Sequence, residues 1–293
     1  MKIATYTFEG RRHAGIVDAG NRTVTPFEDV DTRVDGALAI IRLAGNGDGV
    51  PIANGKAIPL DQIKLEAPIP RPARNVFCVG KNYHDHAREF ARSGFDSSVS
   101  SADAAPVPSD PIFFSKVPES VIATGDIVRI PGDLSVAIDY ETELTVVIGK
   151  GGRQISAASA LDHVWGYTII NDVTARDIQG RHKQWLLGKS LDTFCPMGPW
   201  LVSKDELDGT DTRIRCWVNG EPRQDARTTD LIFDIPCLIE TLSAGITLYP
   251  GDLIATGTAA GVGIGFTPPK YLKSGDVVRM EVDGIGVLEN RFV

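Results

Sequence analysis

The sequence has 293 residues, of which 42% are hydrophobic and 23% are charged, and its net charge at pH 7 is −8. This composition is ordinary for a soluble globular protein, and the length suits one large domain or two smaller ones. Because the chain is acidic and has no basic block, we expect no nucleic acid partner and no binding to an anionic membrane surface. An anionic substrate would need a local positive site, such as a metal ion or a few lysines and arginines.

Cysteine usage and hydropathy predict a cytoplasmic protein. The four cysteines are widely spaced and form no CxxC pair, which argues against a zinc knuckle and suits a reducing compartment. The first residues lack the apolar core of a signal peptide, and no apolar run approaches the ~18 residues of a membrane span. We therefore expect no membrane partner.

Residues 1–68 are predicted to form a small β-rich accessory domain. Residues 2–8 and 13–18 have the pattern of strands, and residues 36–43 have the spacing of a short amphipathic helix. The proline-rich residues 67–72 are interpreted as a hinge. Residues 69–293 form the second predicted domain, and the 30 glycines and 18 prolines of the chain indicate a mainly β fold with many turns and short helices.

A polar helix is predicted after a buried strand at residues 75–79. His86 and Glu89 stand at positions i and i+3 of this helix and are neighbours on one face. The carboxylate can orient the imidazole, as a general base requires, although an ordinary surface pair has the same spacing. The residues after this pair are poor in large apolar side chains, so we expect a mobile lid over about residues 86–110. A plain surface loop is the alternative.

The stretch IDYETELTVVIG at residues 138–149 alternates like a strand and carries Glu141 and Glu143 two positions apart. Residues i and i+2 of a strand point to the same face, about 7 Å apart, where two carboxylates repel each other. The pair is either a solvated outer face or part of a metal site. This stretch alone does not decide between the two.

A third acid favours the metal site. Asp172 comes at the end of a predicted buried strand at residues 165–171. Three carboxylates without a nearby His or Cys favour a hard cation, Mg²⁺ or Mn²⁺, with Ca²⁺ as a further candidate. Such a set leaves coordination positions open for water and substrate.

The second half of the chain continues the pattern of short elements. Ser156 is a candidate N-cap for a short helix that ends at residue 163. Residues 213–218 and 221–225 are predicted to form a hairpin around Asn219 and Gly220, and residues 233–243 are predicted to form a helix. Cys195 is interpreted as a packed thiol rather than a nucleophile.

Six motifs resemble those of the fumarylacetoacetate hydrolase superfamily, in the same order, between residues 75 and 293. They are VGKNYHDH, IDYETELTVVIGK, GYTIINDVTARDIQ, GKSLDTFCPMGPW, VNGE and LYPGDLIATGTAAGVGIG. The resemblance implies a mixed β-roll catalytic domain over residues 69–293, a divalent metal and a homodimer.

The resemblance also implies roles for individual residues. The metal ligands would be Glu141, Glu143 and Asp172. The catalytic residues would be His86 and Glu89, which activate water, and Lys189, which stabilises oxyanion charge. The substrate contacts would be Tyr83, Arg176, Gln179 and Thr258.

The reaction implied by the resemblance is metal-dependent hydrolysis of a carbon–carbon bond in a 2,4-diketo acid, within aromatic or sugar-acid catabolism. The substrate would be a small anionic keto acid of the acylpyruvate type, such as fumarylpyruvate, a fumarylacetoacetate-like compound or a diketo-deoxy sugar acid, and pyruvate or a related keto acid would be released. The same residues support decarboxylation of oxaloacetate or isomerisation of a 2-hydroxy-diene-dioate. A non-catalytic protein that binds a metal and a keto acid is an alternative of another class, which the intact His86, Glu89 and Lys189 disfavour.

Overall fold

The structure is a computed structural model that describes residues 1–92 and 107–293. The strands of these ranges are, in chain order, β1 (Lys2–Phe8), β2 (Arg11–Asp18), β3 (Thr23–Pro26), β4 (Ile58–Pro59), β5 (Lys64–Leu65), β6 (Val76–Gly80), β7 (Ile112–Lys116), β8 (Val121–Ala123), β9 (Ile127–Val128), β10 (Ile138–Asp139), β11 (Thr142–Ile148), β12 (Val164–Asn171), β13 (Thr174–Ala175), β14 (Cys195–Ser203), β15 (Arg213–Val218), β16 (Glu221–Arg227), β17 (Leu253–Ala255), β18 (Val277–Val282) and β19 (Gly286–Phe292). The α-helices are α1 (Ala37–Gly45), α2 (His84–Arg92), α3 (Arg176–Arg181), α4 (Leu186–Lys189) and α5 (Ile235–Ser243). Short 3₁₀ helices cover Leu60–Gln62, Pro118–Ser120, Gly132–Leu134, Ala157–His163, Thr228–Asp230 and Gly263–Gly265.

Two mixed sheets carry the fold. The larger one follows the order β4-β3-β2-β1-β14-β12-β11-β17-β6-β7, with β5 beside β1 and β8 beside β14. The smaller one has the order β16-β15-β18-β19-β9, and β10 pairs with β13 in a separate ribbon. Parallel pairs occur in both sheets, at β17–β6, β14–β8 and β19–β9. The predicted fold class, mainly β with short helices and mixed sheets, is confirmed.

The strands β11 and β12 lie in the middle of the larger sheet and are buried at every residue. Leu144 and Val146 face the main core, whereas Val147 on the opposite face belongs to a second core cluster. Polar side chains on these strands therefore cannot reach bulk water and need partners inside the protein. This burial rules out a solvated face for the acidic pair.

The predicted strand over residues 138–149 is divided in the structure. Its first part, β10, pairs with β13, whereas β11 pairs with β12 and β17. The chain changes pairing partners between Asp139 and Thr142, so Tyr140 and Glu141 lie outside both strands. This break is what places Glu141 at the end of β11.

The N-terminal residues continue the larger sheet. Strand β1 pairs with β14, with Ile3 opposite Leu201. On α1, Leu38 and Ile41 belong to the same buried cluster as Val147 of β11. The N-terminal segment thus shares a sheet and a core with the rest of the chain, and the proposed domain boundary at residue 68 stays a prediction.

The hairpin turn predicted at Asn219 and Gly220 is present, whereas the helix N-cap predicted at Ser156 is not. Asn219 (φ 52°) and Gly220 (φ 81°) both have positive φ, as a two-residue type I′ hairpin turn requires. Ser156 precedes a 3₁₀ helix, and its side chain makes no capping bond. Its hydroxyl lies 3.0 Å from that of Ser159 instead.

The predicted lid over about residues 86–110 falls mostly on residues 93–106, which lie outside the described residues. Within the described ranges, each helix is too short or too polar to cross a membrane.

Candidate active site

Antiparallel pairing of β11 with β12 brings the three predicted metal ligands together. Thr142 is opposite Asn171, so Glu141 just before β11 meets Asp172 just after β12. The backbone N–H of Asp172 donates to the carbonyl of Glu141 at 2.9 Å. The side chains of Glu141, Glu143 and Asp172 are all buried. One carboxylate oxygen of each residue lies within 4.8 Å of a carboxylate oxygen of the other two.

Two cations compensate the charge of Glu141. Lys189 Nζ lies 2.7 Å from Glu141 Oε2 and 2.8 Å from Asp172 Oδ2, and Arg176 Nη2 lies 2.6 Å from Glu141 Oε1. Burial opposes ionisation of Glu141, but Lys189 and Arg176 outweigh it and lower its pKa below the usual range. Burial likewise opposes the charge of Lys189, but Asp172 and Glu141 raise the pKa of its ammonium group.

Asp172 has a second cation, Lys116 at the end of β7. Its ammonium group is fully buried and donates to Asp172 Oδ1 at 2.6 Å and to the carbonyl of Val173 at 3.0 Å. It also donates to the carbonyl of Lys189. Lys116 therefore fixes both a metal-ligand candidate and the end of α4.

Glu143 lacks such compensation. Among the described residues its carboxylate accepts one hydrogen bond, from the N–H of Gly257 at 2.9 Å. Burial, followed by the charges of Asp172 and Glu141, raises the pKa of Glu143 well above its usual value. Gly257 has φ +101°, and a Cβ there would lie 2.8 Å from Cβ of Asn82, so this position requires glycine.

The donor set fits a hard divalent cation. Within residues 1–92 and 107–293, the cluster offers three carboxylates and neither histidine nor cysteine, and the carboxylate of Glu143 has no paired cation there. Oxygen-only sets of this kind suit Mg²⁺, Mn²⁺ or Ca²⁺. Glu141, Glu143 and Asp172 would hold the ion, and its identity stays a prediction.

A cleft beside the cluster collects most of the residues that the sequence singled out. Seven of the predicted site residues line it, namely His86, Glu141, Glu143, Arg176, Gln179, Lys189 and Thr258. Asp172 is not among the lining residues, but its Oδ2 lies 2.8 Å from Nζ of Lys189, which is. Tyr83 is placed elsewhere: it is 3% exposed, packs in the main core and pairs with Leu231 in a backbone bridge. Its prediction as a substrate contact gains no support from this position.

His86 and Glu89 lie on α2 at the edge of the cleft. His86 Nδ1 is 3.6 Å from Glu89 Oε2, too long for a hydrogen bond but close enough for the carboxylate to orient the ring. The Glu89 carboxylate accepts from the N–H of Gly261 at 3.0 Å. The His86 ring also stacks on Phe90, with ring centroids 6.3 Å apart. The imidazole is thus held between a carboxylate and an aromatic ring.

Asp139 on β10 anchors the glycine-rich turn to the site. Its carboxylate accepts from the N–H groups of Gly263 at 2.6 Å and Ile264 at 3.0 Å, and from Nε of Arg176 at 2.9 Å. The same carboxylate also accepts from the N–H of Tyr140 at 2.9 Å. These four donors fill the hydrogen-bonding capacity of the Asp139 carboxylate. Asp139 therefore fixes Arg176 relative to the turn.

Three cations of the cleft lie over aromatic rings. Lys81 Nζ is 5.6 Å and Arg176 Cζ is 5.9 Å from the centre of Phe90. Lys189 Nζ is 4.9 Å from the centre of Phe114. Lys81 has φ 57°, a left-handed conformation that is uncommon for a residue with a side chain and tends to occur at functional positions.

Sequence reasoning missed Lys81, Lys116 and Asp139. Lys116 follows the apolar run PIFF after one serine, and Asp139 stands inside the acidic motif two positions before Glu141. A single lysine after a strand or one more acid in an acidic motif is too common to mark a site. The partners of Lys116 and Asp139 come from distant parts of the chain, and only the fold brings them together.

Comparison with known proteins gives a consistent family. The family described as Fumarylacetoacetate (FAA) hydrolase C-terminal matches residues 75–293. The oxaloacetate tautomerase YisK of Bacillus subtilis (strain 168) is 52% identical over 234 residues, which cover 80% of this chain and 74% of that protein. A mitochondrial oxaloacetate tautomerase of Bos taurus is 45% identical over 239 residues, covering 80% of this chain and 71% of that protein.

A solved structure extends the similarity to the whole chain. The fumarylacetoacetate hydrolase from the psychrophile Exiguobacterium antarcticum superposes with a TM-score of 0.85 at 38% identity. The match covers 100% of this chain and 99% of that chain. The N-terminal segment is therefore included in this structural similarity.

Proposed function

The chain belongs to the fumarylacetoacetate hydrolase family, and we propose that it is a metal-dependent enzyme that interconverts the keto and enol forms of oxaloacetate or of a closely similar 2-oxo dicarboxylate. The observation that carries this proposal is the buried cluster of Glu141, Glu143 and Asp172 beside a cleft lined by Lys189 and His86. The names of the two oxaloacetate tautomerases support this choice of reaction.

The charges buried around the cleft suit a dicarboxylate. Around the cleft, the buried charged groups of the described residues are four carboxylates and four cations: Asp139, Glu141, Glu143 and Asp172, and Lys81, Lys116, Arg176 and Lys189. A divalent ion would add two positive charges to this balanced set. A dianionic substrate restores neutrality, whereas a monoanion leaves a positive charge in a region of low dielectric.

The reaction requires one proton to leave C3 and another to reach the 2-oxo oxygen. As the proton leaves C3, the C2–C3 double bond forms and the electron pair of the C2 carbonyl moves to oxygen, which takes up a proton. When bound, a divalent cation would supply Lewis-acid stabilisation of the negative charge on that oxygen. His86, oriented by Glu89, is the candidate that accepts the C3 proton or returns it in the reverse direction.

The remaining cleft residues would bind the substrate and its charge. Lys189 would stabilise negative charge at the 2-oxo oxygen. Arg176 is held by Asp139, and its Nη1 donates to Gln179 Oε1 at 3.3 Å, so both side chains present fixed groups to the cleft. Thr258 would contact the substrate carboxylate through its hydroxyl group.

Hydrolysis of a 2,4-diketo acid of the acylpyruvate type is the second candidate. His86 and Glu89 at the cleft could activate water as well as move a carbon-bound proton. In that reaction water attacks the C4 carbonyl, the C3–C4 bond breaks, and its electron pair leaves as the enolate of pyruvate. The fumarylacetoacetate hydrolase structure of Exiguobacterium antarcticum keeps this alternative open.

A substrate panel with product identification separates the candidates. The Mg²⁺-loaded enzyme is mixed with oxaloacetate, fumarylpyruvate, acetylpyruvate or fumarylacetoacetate, and the products are followed by proton NMR. We expect fast approach to the keto–enol equilibrium of oxaloacetate, with slow or no cleavage of the diketo acids. Release of pyruvate from an acylpyruvate at the higher kcat/KM would instead favour hydrolysis, and loss of CO₂ from oxaloacetate would reveal decarboxylation.

A further inference from the structure

We propose that Gln224 is a positioning residue that turns the hydroxyl proton of Thr258 toward the substrate. Gln224 lies on β16 of the smaller sheet, is 2% exposed and does not line the cleft. This inference rests on the proposed function, because it takes Thr258 as a substrate contact.

Gln224 connects three backbone and side-chain groups around the site. Its Nε2 donates to Thr258 Oγ1 at 2.7 Å and to the carbonyl of Ala259 at 2.8 Å. Its Oε1 accepts from the N–H of Thr142 at 3.1 Å. Thr142 stands between Glu141 and Glu143 in the sequence, so this amide joins the acidic strand to the turn that carries Thr258.

The chemistry of these partners fixes the orientation of the amide. The N–H of Thr142 can only donate, and the carbonyl of Ala259 can only accept. A flipped amide would place its NH₂ against the N–H of Thr142 and its oxygen against the carbonyl of Ala259, which are two repulsive contacts. The NH₂ group of Gln224 must therefore face Thr258.

This orientation decides what Thr258 can offer. Because Thr258 Oγ1 accepts a hydrogen bond from the NH₂ group of Gln224, its own hydroxyl proton must point in another direction. Within the described residues that hydroxyl donates to no protein acceptor, and Thr258 lines the cleft with Glu141 and Lys189. Thr258 therefore presents a hydrogen-bond donor to the cleft, which suits a carboxylate or an enolate oxygen of the substrate.

The test is a double-mutant cycle with Gln224→Met and Thr258→Val. Oxalate serves as an unreactive probe, and its binding to protein saturated with Mg²⁺ is measured by calorimetry, with KM and kcat for oxaloacetate in parallel. A hydrogen bond to a charged group contributes about a tenfold change in affinity or more. We expect Thr258→Val and Gln224→Met each to weaken oxalate binding about tenfold. In the Thr258→Val background, Gln224→Met should have little further effect.

Asn290→Leu is the matched control. Asn290 lies on β19 of the same sheet, is 3% exposed, and its amide donates to two backbone carbonyls, of Ala123 at 2.7 Å and Asp126 at 2.8 Å. This variant should lower the melting temperature but leave oxalate affinity unchanged. If Gln224→Met fails to fold, Gln224→Glu replaces it. A carboxylate keeps the contact to the N–H of Thr142, but it accepts a hydrogen bond from the hydroxyl of Thr258 and so turns that hydroxyl proton away from the cleft.

Each outcome separates the inference from the proposed function. Unchanged oxalate affinity in the Gln224 variant that folds, or an effect of that variant that persists fully without the Thr258 hydroxyl, would overturn the positioning role. Unchanged affinity in Thr258→Val would remove Thr258 from the substrate contacts and overturn the inference with it. If affinity follows the expected cycle but oxaloacetate is not tautomerised, Gln224 keeps its role and the proposed reaction fails.

Discussion

Glu143 carries the least compensated charge of the three buried carboxylates. Lys189, Arg176 and Lys116 pair with Glu141 and Asp172, whereas Glu143 accepts a single N–H group from the part of the chain that the structure describes. Without a bound cation this carboxylate lowers the stability of the fold, because its burial and its acidic neighbours oppose its charge. Binding of a divalent ion would convert the same residue into a stabilising ligand.

Glu143→Gln should therefore have opposite effects in the absence and presence of metal. In protein treated with a chelator, the free energy of unfolding should rise by about 1–3 kcal/mol, since a buried charge is removed. Addition of Mg²⁺ should stabilise the wild type but not the variant. Denaturant unfolding with and without Mg²⁺ measures both effects. Glu119→Gln, at a side chain 54% exposed, is the control, and equal stabilisation of both proteins by Mg²⁺ would contradict the ligand role.

Tyr6 on β1 is a buried tyrosine that does not line the cleft. Its hydroxyl group has no hydrogen-bond partner among the described residues, and burial raises its pKa to about 12. The neutral phenol is thus favoured in the folded protein, whereas the unfolded chain ionises near the ordinary value of about 10. The contribution of the neutral Tyr6 phenol to the free energy of unfolding is therefore complete below pH 10 and is lost as the pH rises toward 12.

Tyr6→Phe tests this assignment. At pH 7 the variant should be as stable as the wild type or about 1 kcal/mol more stable, since a buried polar group without a partner is removed. Between pH 10 and 12 its free energy of unfolding should decline less than that of the wild type. Parallel declines over that range, measured by urea unfolding, would show that Tyr6 does not titrate with a raised pKa.

At this scale the sequence predicted the acids of the site better than their partners. Glu141, Glu143 and Asp172 stood out because acids on apolar strands need an explanation. Lys116 and Gln224 contact the site across 56 and 34 positions of the chain, and no local pattern marks such pairs.

The elements β11, β12 and α2 position the candidate chemistry. The register of β11 against β12 determines the positions of Glu141, Glu143 and Asp172. Helix α2 carries His86, the candidate base, on its buried face. The strand periodicity and the hairpin turn were predictable, because both are local. The division between β10 and β11 was not, because it arises from a change of pairing partner with β13, a segment more than 30 residues away.

Substitution of His86 should separate proton transfer from metal binding. His86→Gln should leave Mg²⁺ affinity unchanged but lower the tautomerisation rate of oxaloacetate by about 10²–10⁴-fold, the usual contribution of a general acid or base. His84→Gln is the matched control, because His84 lies on the same helix but is exposed. Stopped-flow absorbance measures the rate. If both variants had the wild-type rate, His86 would not be the base.

The N-terminal segment and the rest of the chain share one sheet and one buried cluster. Composition indicated a hinge near residue 68, because proline-rich stretches often separate domains, but it could not show that β1 pairs with β14. The homodimer and the cytoplasmic location implied by the sequence stay predictions.

Leu38→Ala tests whether the two segments unfold together. Leu38 on α1 is 1% exposed, and its removal should lower the free energy of unfolding by about 2–5 kcal/mol. All four tryptophans lie beyond residue 160, but Trp165 and Trp200 pack against N-terminal residues. With these two replaced by Phe in every protein compared, the fluorescence of Trp185 and Trp217 reports on the other segment. We expect the tryptophan transition to shift to lower denaturant concentration, with Ile52→Ala, at an 84% exposed residue, as a silent control. An unshifted tryptophan transition would mean that the N-terminal segment unfolds independently.

If the buried acidic cluster supports metal-dependent enolisation of oxaloacetate, the enzyme must accelerate exchange of the C3 protons with deuterated solvent. Proton NMR follows the loss of the C3 signal with enzyme and Mg²⁺, with Mg²⁺ alone, with enzyme and chelator, and with Glu143→Gln and Mg²⁺. We expect that only the wild-type enzyme with Mg²⁺ accelerates exchange beyond the rate with Mg²⁺ alone. Exchange no faster than with Mg²⁺ alone, or acceleration that survives both the chelator and the loss of Glu143, would contradict metal-dependent enolisation at this cluster.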